Sequence, residues 1–359
     1  AATAFGSGCF IDCESLTKVN FPLCSAISDK MFFIAQASVC TSTLKTIDLS
    51  NITTIGTSAF EGCKALEDVV DFSKVTTVGE RAFRECITLK NVDLSNVTTT
   101  GDYAFFRCWG FTGELNMPKL TAPGKYLFRE CKNITKVSAP VLENMSLYMF
   151  AECTALADID MPVLKKVENF SFNKCEGLTK VDMPTVETII AGGFSGCVNI
   201  KTINLPNVKS IGGTVFNGCA LVTTISLPAL ETFINNGGAF SGMTGLTSYD
   251  VPLLAQSHLA RNQGFRQMHR PDDPEAGCDD GHHAGQRHIH LGRRSRRLQP
   301  VPQRCGRGIP DRRRAAMEKP HLEIHRLLHP LSRGGVSTPE RCSHVLENSR
   351  RAYRQTIIR

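Results

Sequence analysis

Histidine is missing from the first 253 residues; all ten stand between His258 and His344. That removes the usual general base for a serine or cysteine nucleophile from most of the chain, and no enzyme is expected. The same region has no Cys-x-x-Cys pair, which argues against zinc. No run of about eighteen apolar residues occurs, so no membrane span is expected. Nor does a charged stretch with an apolar core precede the first repeat. Because residue 1 is alanine and the chain opens inside a repeat, it reads as a fragment or mature form. Amphipathic helices longer than one turn are absent as well.

What the chain does have is a unit that keeps returning. Cys13, Cys40, Cys63, Cys86, Cys108, Cys131, Cys153, Cys175, Cys197 and Cys219 fall in one column, which Met243 completes. Three residues earlier stands Phe10, Phe60, Phe83, Phe105, Phe128, Phe150, Phe172, Phe194, Phe216 or Phe240. Ala37 interrupts this column in the second coil, where Phe32 or Phe33 is available to fill the gap. Three residues after the cysteine comes an apolar position such as Leu89, Leu178 or Ile200. From there the chain reads Leu-x-x-Val-x-Leu, the period-two pattern of a half-buried strand. Proline comes next in many coils, from Pro22 to Pro228, and ends the ladder for want of an N–H. A second, weaker strand succeeds it, as at Val208–Ile211. Gly56, Gly79, Gly101, Gly124 and Gly212 then stand four residues before the phenylalanine, which predicts a tight turn at positive φ. One coil cannot bury these columns alone, whereas stacked coils make them continuous.

The full unit, Leu-x-x-Val-x-Leu-Pro-x-Val-x-x-Ile-Gly-x-x-Ala-Phe-x-x-Cys, resembles the BspA-type, or Treponema pallidum-type, leucine-rich repeat. The resemblance spans roughly residues 5 to 253. It implies an α/β-type repeat solenoid, mostly β: a right-handed superhelix with a parallel concave sheet and short turns on the convex side. Residues 1–253 would hold about eleven coils, giving a rod of about 50 Å at about 4.8 Å per coil. The resemblance also implies a cell-surface or secreted protein that adheres to or recognises a protein or glycan on a host or neighbouring cell. The alternative is a cytoplasmic interaction scaffold, which free thiols would suit in a reducing compartment.

After Leu253 the columns stop. Residues 254–359 carry 20 arginines and Lys319 against 10 acids, or +11, which leaves +7 − 11 = −4 for the repeats. Shifted by one nucleotide, with permitted codon choices, Arg266–Ala276 can spell the repeat's Cys-x-x-Leu-x-x-Leu-x-Leu. The tail therefore reads as out-of-frame translation or a disordered segment. His282, His283, His288 and His290 near Cys278, Asp279 and Asp280 have metal-ligand chemistry. Arg293–Arg297 and Arg312–Arg314 could meet phosphates, which makes nucleic acid a minor alternative, but no aromatic residues interleave to stack bases. No cofactor and no small-molecule substrate are expected.

Within the repeats the cysteine column behaves like the leucines, as a buried small hydrophobe. Cys9 and Cys24 lie outside it and are the better candidates for pairing. The candidate binding face is the outward half of the first strands. One column runs Asn20, Asp48, Asp71, Asp93, Asn116, Ser138, Asp160, Asp182, Asn204, Ser226 and Asp250; its neighbour includes Lys136, Asp158 and Lys180. The predicted ligand contacts are Asp93, Asn116, Lys136, Asp158, Asp160, Lys180, Asp182 and Asn204. Asp160 and Asp182 are expected to be neighbours on adjacent strands.

Overall fold

Alternation in Lys180–Val181–Asp182 has the consequence that period two requires: valine is buried and its polar neighbours face solvent. The next coil pairs with it in parallel, Lys180 opposite Thr202, Val181 opposite Ile203 and Asp182 opposite Asn204. The computed structural model describes residues 4–19, 21, 23–35, 43–90, 92–234 and 238–254. Among them nine coils carry such a first strand, from Thr46–Asp48 to Ser248–Asp250. Eight carry a second one, from Ala26–Ile27 to Thr232–Ile234. Every pairing between strands is parallel. No α-helix occurs among the described residues. The fold is a parallel, mostly β repeat solenoid.

Its core is a ladder of rings. Phe10, Phe32, Phe60, Phe83, Phe105, Phe128, Phe150, Phe172, Phe194, Phe216 and Phe240 stack in sequence, centroids 5.0–6.1 Å apart and planes within 10°. Phe32 thus fills the gap that Ala37 left. Three residues after Phe32 stands Ala35, which is exposed. Cys40, Ala37, Asn20 and Pro22 lie outside the described residues.

Cysteine is more than a small hydrophobe here. Each described column thiol from Cys63 onward is buried and donates to the main-chain oxygen of the phenylalanine one coil back. Cys86 reaches Phe60 at 3.1 Å, Cys131 reaches Phe105 at 3.1 Å and Cys197 reaches Phe172 at 3.0 Å. Leucine or valine would fill the space but leave that oxygen one partner short. Cys13, on the first described rung, is exposed; Cys9 is exposed and Cys24 buried, and none of the three is in a disulfide among the described residues.

The glycine column has a different cause from the expected one. No positive φ occurs at Gly56, Gly79, Gly101, Gly124 or Gly212. A Cβ at any of them would lie 2.0–2.6 Å from main-chain atoms of the coil before. Close approach demands these glycines. The left-handed residues fall two places later, at Ser58, Arg81, Tyr103, Tyr126, Tyr148, Phe170 and Thr214, and again two places after the core phenylalanine. That second column holds Gly62, Gly196, Gly218 and Gly242, but also Glu85, Arg107, Glu130, Glu152 and Lys174. Lys174 is exposed with φ 56°. Relief of its left-handed strain, about 1–2 kcal/mol, outweighs the extra chain entropy of glycine, about 0.5–1 kcal/mol. Lys174→Gly should therefore raise the denaturant midpoint slightly, and a lowered midpoint would show the position to be unstrained.

Candidate functional site: the polar face of the first strands

The outward column, as the repeat pattern draws it, divides by the residue two places downstream of each member. Asp48, Asp71 and Asp93 accept hydrogen bonds from the N–H two residues on, Ser50 at 3.0 Å, Ser73 at 3.1 Å and Ser95 at 2.9 Å. These carboxylates close an Asx turn. At Asp71, the hydroxyl and N–H of Ser73 hold the carboxyl below its ordinary pKa. From Asn116 onward the residue two on is Pro118, Pro140, Pro162, Pro184, Pro206, Pro228 or Pro252. Proline has no N–H to cap and fixes its own φ. Asn116, Ser138, Asp160, Asp182, Asn204 and Ser226 are thereby released from holding the turn.

Strand register groups the candidates. Glu114, Lys136 and Asp158 face one another across three strands, as do Asn116, Ser138 and Asp160. Lys180, Asp182 and Asn204 belong to the next sheet. The ladder breaks between Asp158–Asp160 and Lys180–Asp182, so Asp160 and Asp182 are not a strand pair. Each turns to its other neighbour: Ser138 Oγ donates to Asp160 at 2.9 Å, and Asn204 Nδ2 to Asp182 at 2.7 Å. Asp93 joins no strand, and Asn91 beside it lies outside the described residues. Asp71 does not belong in the column where the repeat pattern puts it. Val70 pairs with Asp48, and Asp71 is one extra residue absorbed at φ 54° before buried Phe72.

Glu114 was not among the expected contacts, although it stands two residues before Asn116. Its carboxylate lies 3.2 Å from Lys136 Nζ and, with Asp158 and Asp160 adding to it, lifts the lysine pKa. The face therefore presents carboxylates, amides and hydroxyls at fixed strand spacing, with Lys136 tied to Glu114. Such groups accept and donate hydrogen bonds along an extended chain.

A second polar cluster occupies the left-handed turns. Tyr103, Tyr126, Tyr148 and Phe170 stack at 4.5, 5.0 and 4.9 Å. Arg81 lies over Tyr103, and at the other end a Cβ on Gly192 would come within 2.3 Å of Phe170. With their faces covered, these rings offer no platform for a sugar or base. Beside them Glu61, Arg84, Glu85, Arg107, Glu130, Arg129 and Glu152 form a continuous chain of ion pairs, 2.8–3.9 Å apart. This cluster braces five coils.

The model of the BspA type leucine rich repeat region matches residues 1–112, 53–169 and 143–258, in six copies. The chain belongs to the BspA-type leucine-rich repeat family. Solved structures of similar type include a leucine-rich repeat protein from Bacteroides ovatus, 20% identical, with 66% of this chain and 77% of that chain covered and a TM-score of 0.32. The T. pallidum leucine-rich repeat protein is 21% identical over 51% of this chain and 74% of its own, at a TM-score of 0.38. A leucine-rich cell surface protein from Faecalibacterium prausnitzii is 19% identical over 69% and 87%, at 0.31. No curated protein sequence matches.

Membership of a BspA-type family makes this a protein-interaction repeat; no catalytic family is indicated. No helix among the described residues is long and apolar enough to cross a membrane. The tail's histidines, Cys278, Asp279, Asp280 and arginine runs lie outside the described residues.

Proposed function

We propose that this BspA-type repeat region is a non-catalytic recognition module at the cell surface, binding an extended protein segment across the first strands between Glu114 and Asn204. The observation that carries this reading is the division of the outward column. Before serine, aspartate is consumed by the turn; before proline, the polar group is not, and the described coils of this second kind, from Asn116 onward, are contiguous. Solenoids bind along such regular strand faces. A repeat charge of −4 favours a basic segment, whose association weakens with salt. The surface location is what the family resemblance implies. Burial supports it indirectly, because thiols held as neutral hydrogen-bond donors need no reducing compartment to stay free.

The test is a pull-down from cell-surface proteins with the wild-type chain and with Asp160→Lys/Asp182→Lys. Both positions face water, so circular dichroism should be unchanged while capture of a specific protein falls at least tenfold. Equal capture by both would place the surface elsewhere, and a captured glycan in place of protein would change the ligand class. Residues 254–359 are proposed to take no part in this module, as out-of-frame or disordered chain. The nucleotide sequence across codons 240 to 359 tests their origin.

A further inference from the structure

Two columns of the repeat change chemistry together near residue 140. In earlier coils one column is Thr53, Thr76, Thr98 and Thr121, whose hydroxyls donate to main-chain oxygens of the preceding coil. In later coils the same position holds Glu143, Lys165, Glu187, Lys209 and Glu231, the sign alternating at every step. Lys165 pairs with Glu143 at 3.0 Å and Lys209 with Glu187 at 2.9 Å. Two residues upstream, Asn51, Lys74, Asn96 and Lys119 give way to Val141 and Val163, which are 43% and 40% exposed, and then to Thr185, Asn207 and Ala229. Pro162, Val163 and Thr185 with the flanking Glu–Lys pairs line a groove of about 520 Å³. A register lock would explain alternating charge, since a slip by one coil sets like against like. It does not explain valines facing water beside it.

The spacing selects an occupant. Parallel coils rise about 4.8 Å each, so Glu143, Glu187 and Glu231 recur at about 9.6 Å and span about 19 Å. A polyproline II helix has three residues per turn and a rise of about 3.1 Å, so positions i, i+3 and i+6 share one face at about 9.3 Å and span about 18.6 Å. A β-strand covers similar distances, but its i and i+3 side chains point to opposite faces. Of these two extended forms, only polyproline II brings every third side chain to the same side. Within the groove Glu143 and Glu187 are balanced by Lys165 and Lys209; Glu231, one coil beyond the lining, gives the column one carboxylate in excess and favours a basic ligand, while proline rings suit the exposed valine and Pro162.

We propose that this groove, continued by Glu231 in the coil beyond it, binds a polyproline II segment carrying a basic residue at every third position, lying along the solenoid axis. The site is distinct from the first-strand face and does not depend on it. Binding would come from proline packing on Val163 and from guanidinium or ammonium groups sharing the glutamates with Lys165 and Lys209.

The probe is a fluorescently labelled Lys-Pro-Pro-Lys-Pro-Pro-Lys peptide, with anisotropy measured on the full chain. A peptide of the same composition with its three lysines adjacent serves as the control. The spaced peptide should bind at least tenfold more tightly than the clustered one. Val163→Asp and Glu187→Lys should each weaken it at least fivefold, whereas Asp160→Lys/Asp182→Lys should not. Equal affinity for both peptides would reduce the effect to net charge and overturn the proposal, as would absence of saturable binding at millimolar peptide. The peptide comparison uses the wild-type chain, so it remains decisive even if a variant fails to fold. If groove binding fails while capture by the strand face persists, the proposed function stands without it.

Discussion

Gly124→Ala should destabilise the repeat by about 3 kcal/mol or more, whereas Gly218→Ala should cost about 1 kcal/mol. The two glycines look alike in sequence and differ in why they are glycine. At Gly124 a Cβ would stand 2.0 Å from the carbonyl oxygen of Gly101, inside the backbone of the neighbouring coil. Main chain cannot turn aside as a side chain can, so the coils must part. At Gly218, with φ +84°, the nearest atom to an added Cβ is 3.9 Å away, and only left-handed strain is incurred. In a solenoid each coil touches only its neighbours, so weakening one interface also weakens cooperativity. Gly124→Ala should therefore divide urea unfolding into two steps, while Gly218→Ala shifts one step as a whole. Equal small shifts would mean that the coils separate freely, as the next ones accommodate Ser146, Glu168 and Ile190 at this position.

Columns were legible in the sequence because stacking repeats the same environment every coil. Period two identified the strands at Lys180–Asp182 and Thr202–Asn204, and Phe-x-x-Cys identified the core. Register within a coil was less legible, since one inserted residue leaves the pattern readable in two ways. Val70 and Asp71 compete for a single place in the register, and only the pairing with Asp48 decides between them. The cause of the glycine column was hidden for another reason. Absence of a side chain serves positive φ and close approach equally, and sequence does not distinguish them. The site was half legible. Asp-x-Ser against x-x-Pro was written out in every coil, and read together it separates Asp93 from Asp160. What no spacing could reveal was the break between Asp160 and Asp182, or the capture of Lys136 by Glu114.

Raising the pH should unfold the repeats abruptly between about pH 9 and 10, before the arginines and most of the lysines lose their charge. Burial, foremost, pushes the thiols of Cys86, Cys108, Cys153 and Cys175 well above the ordinary cysteine value, and that of Cys219 up to about 12. In the folded state these thiols hold their protons, whereas in the unfolded chain they ionise near pH 8.5. Above that value the unfolded state binds fewer protons, so stability falls as pH rises. Below it the contribution is complete and flat. Each such thiol removes about 1.4 kcal/mol per pH unit, and the seven column cysteines from Cys86 to Cys219 act together. One unit above the unfolded value the loss is about 10 kcal/mol, comparable with the whole stability of a typical domain. Circular dichroism and thiolate absorbance should therefore change in one step, with a proton count near seven. Cys131→Ala/Cys153→Ala should make the step shallower by about two protons while leaving its position governed by the rest. Thiolate absorbance rising from pH 8.5 in a chain whose circular dichroism is still native would sink the idea, because it would mean that the column is reached by water without unfolding.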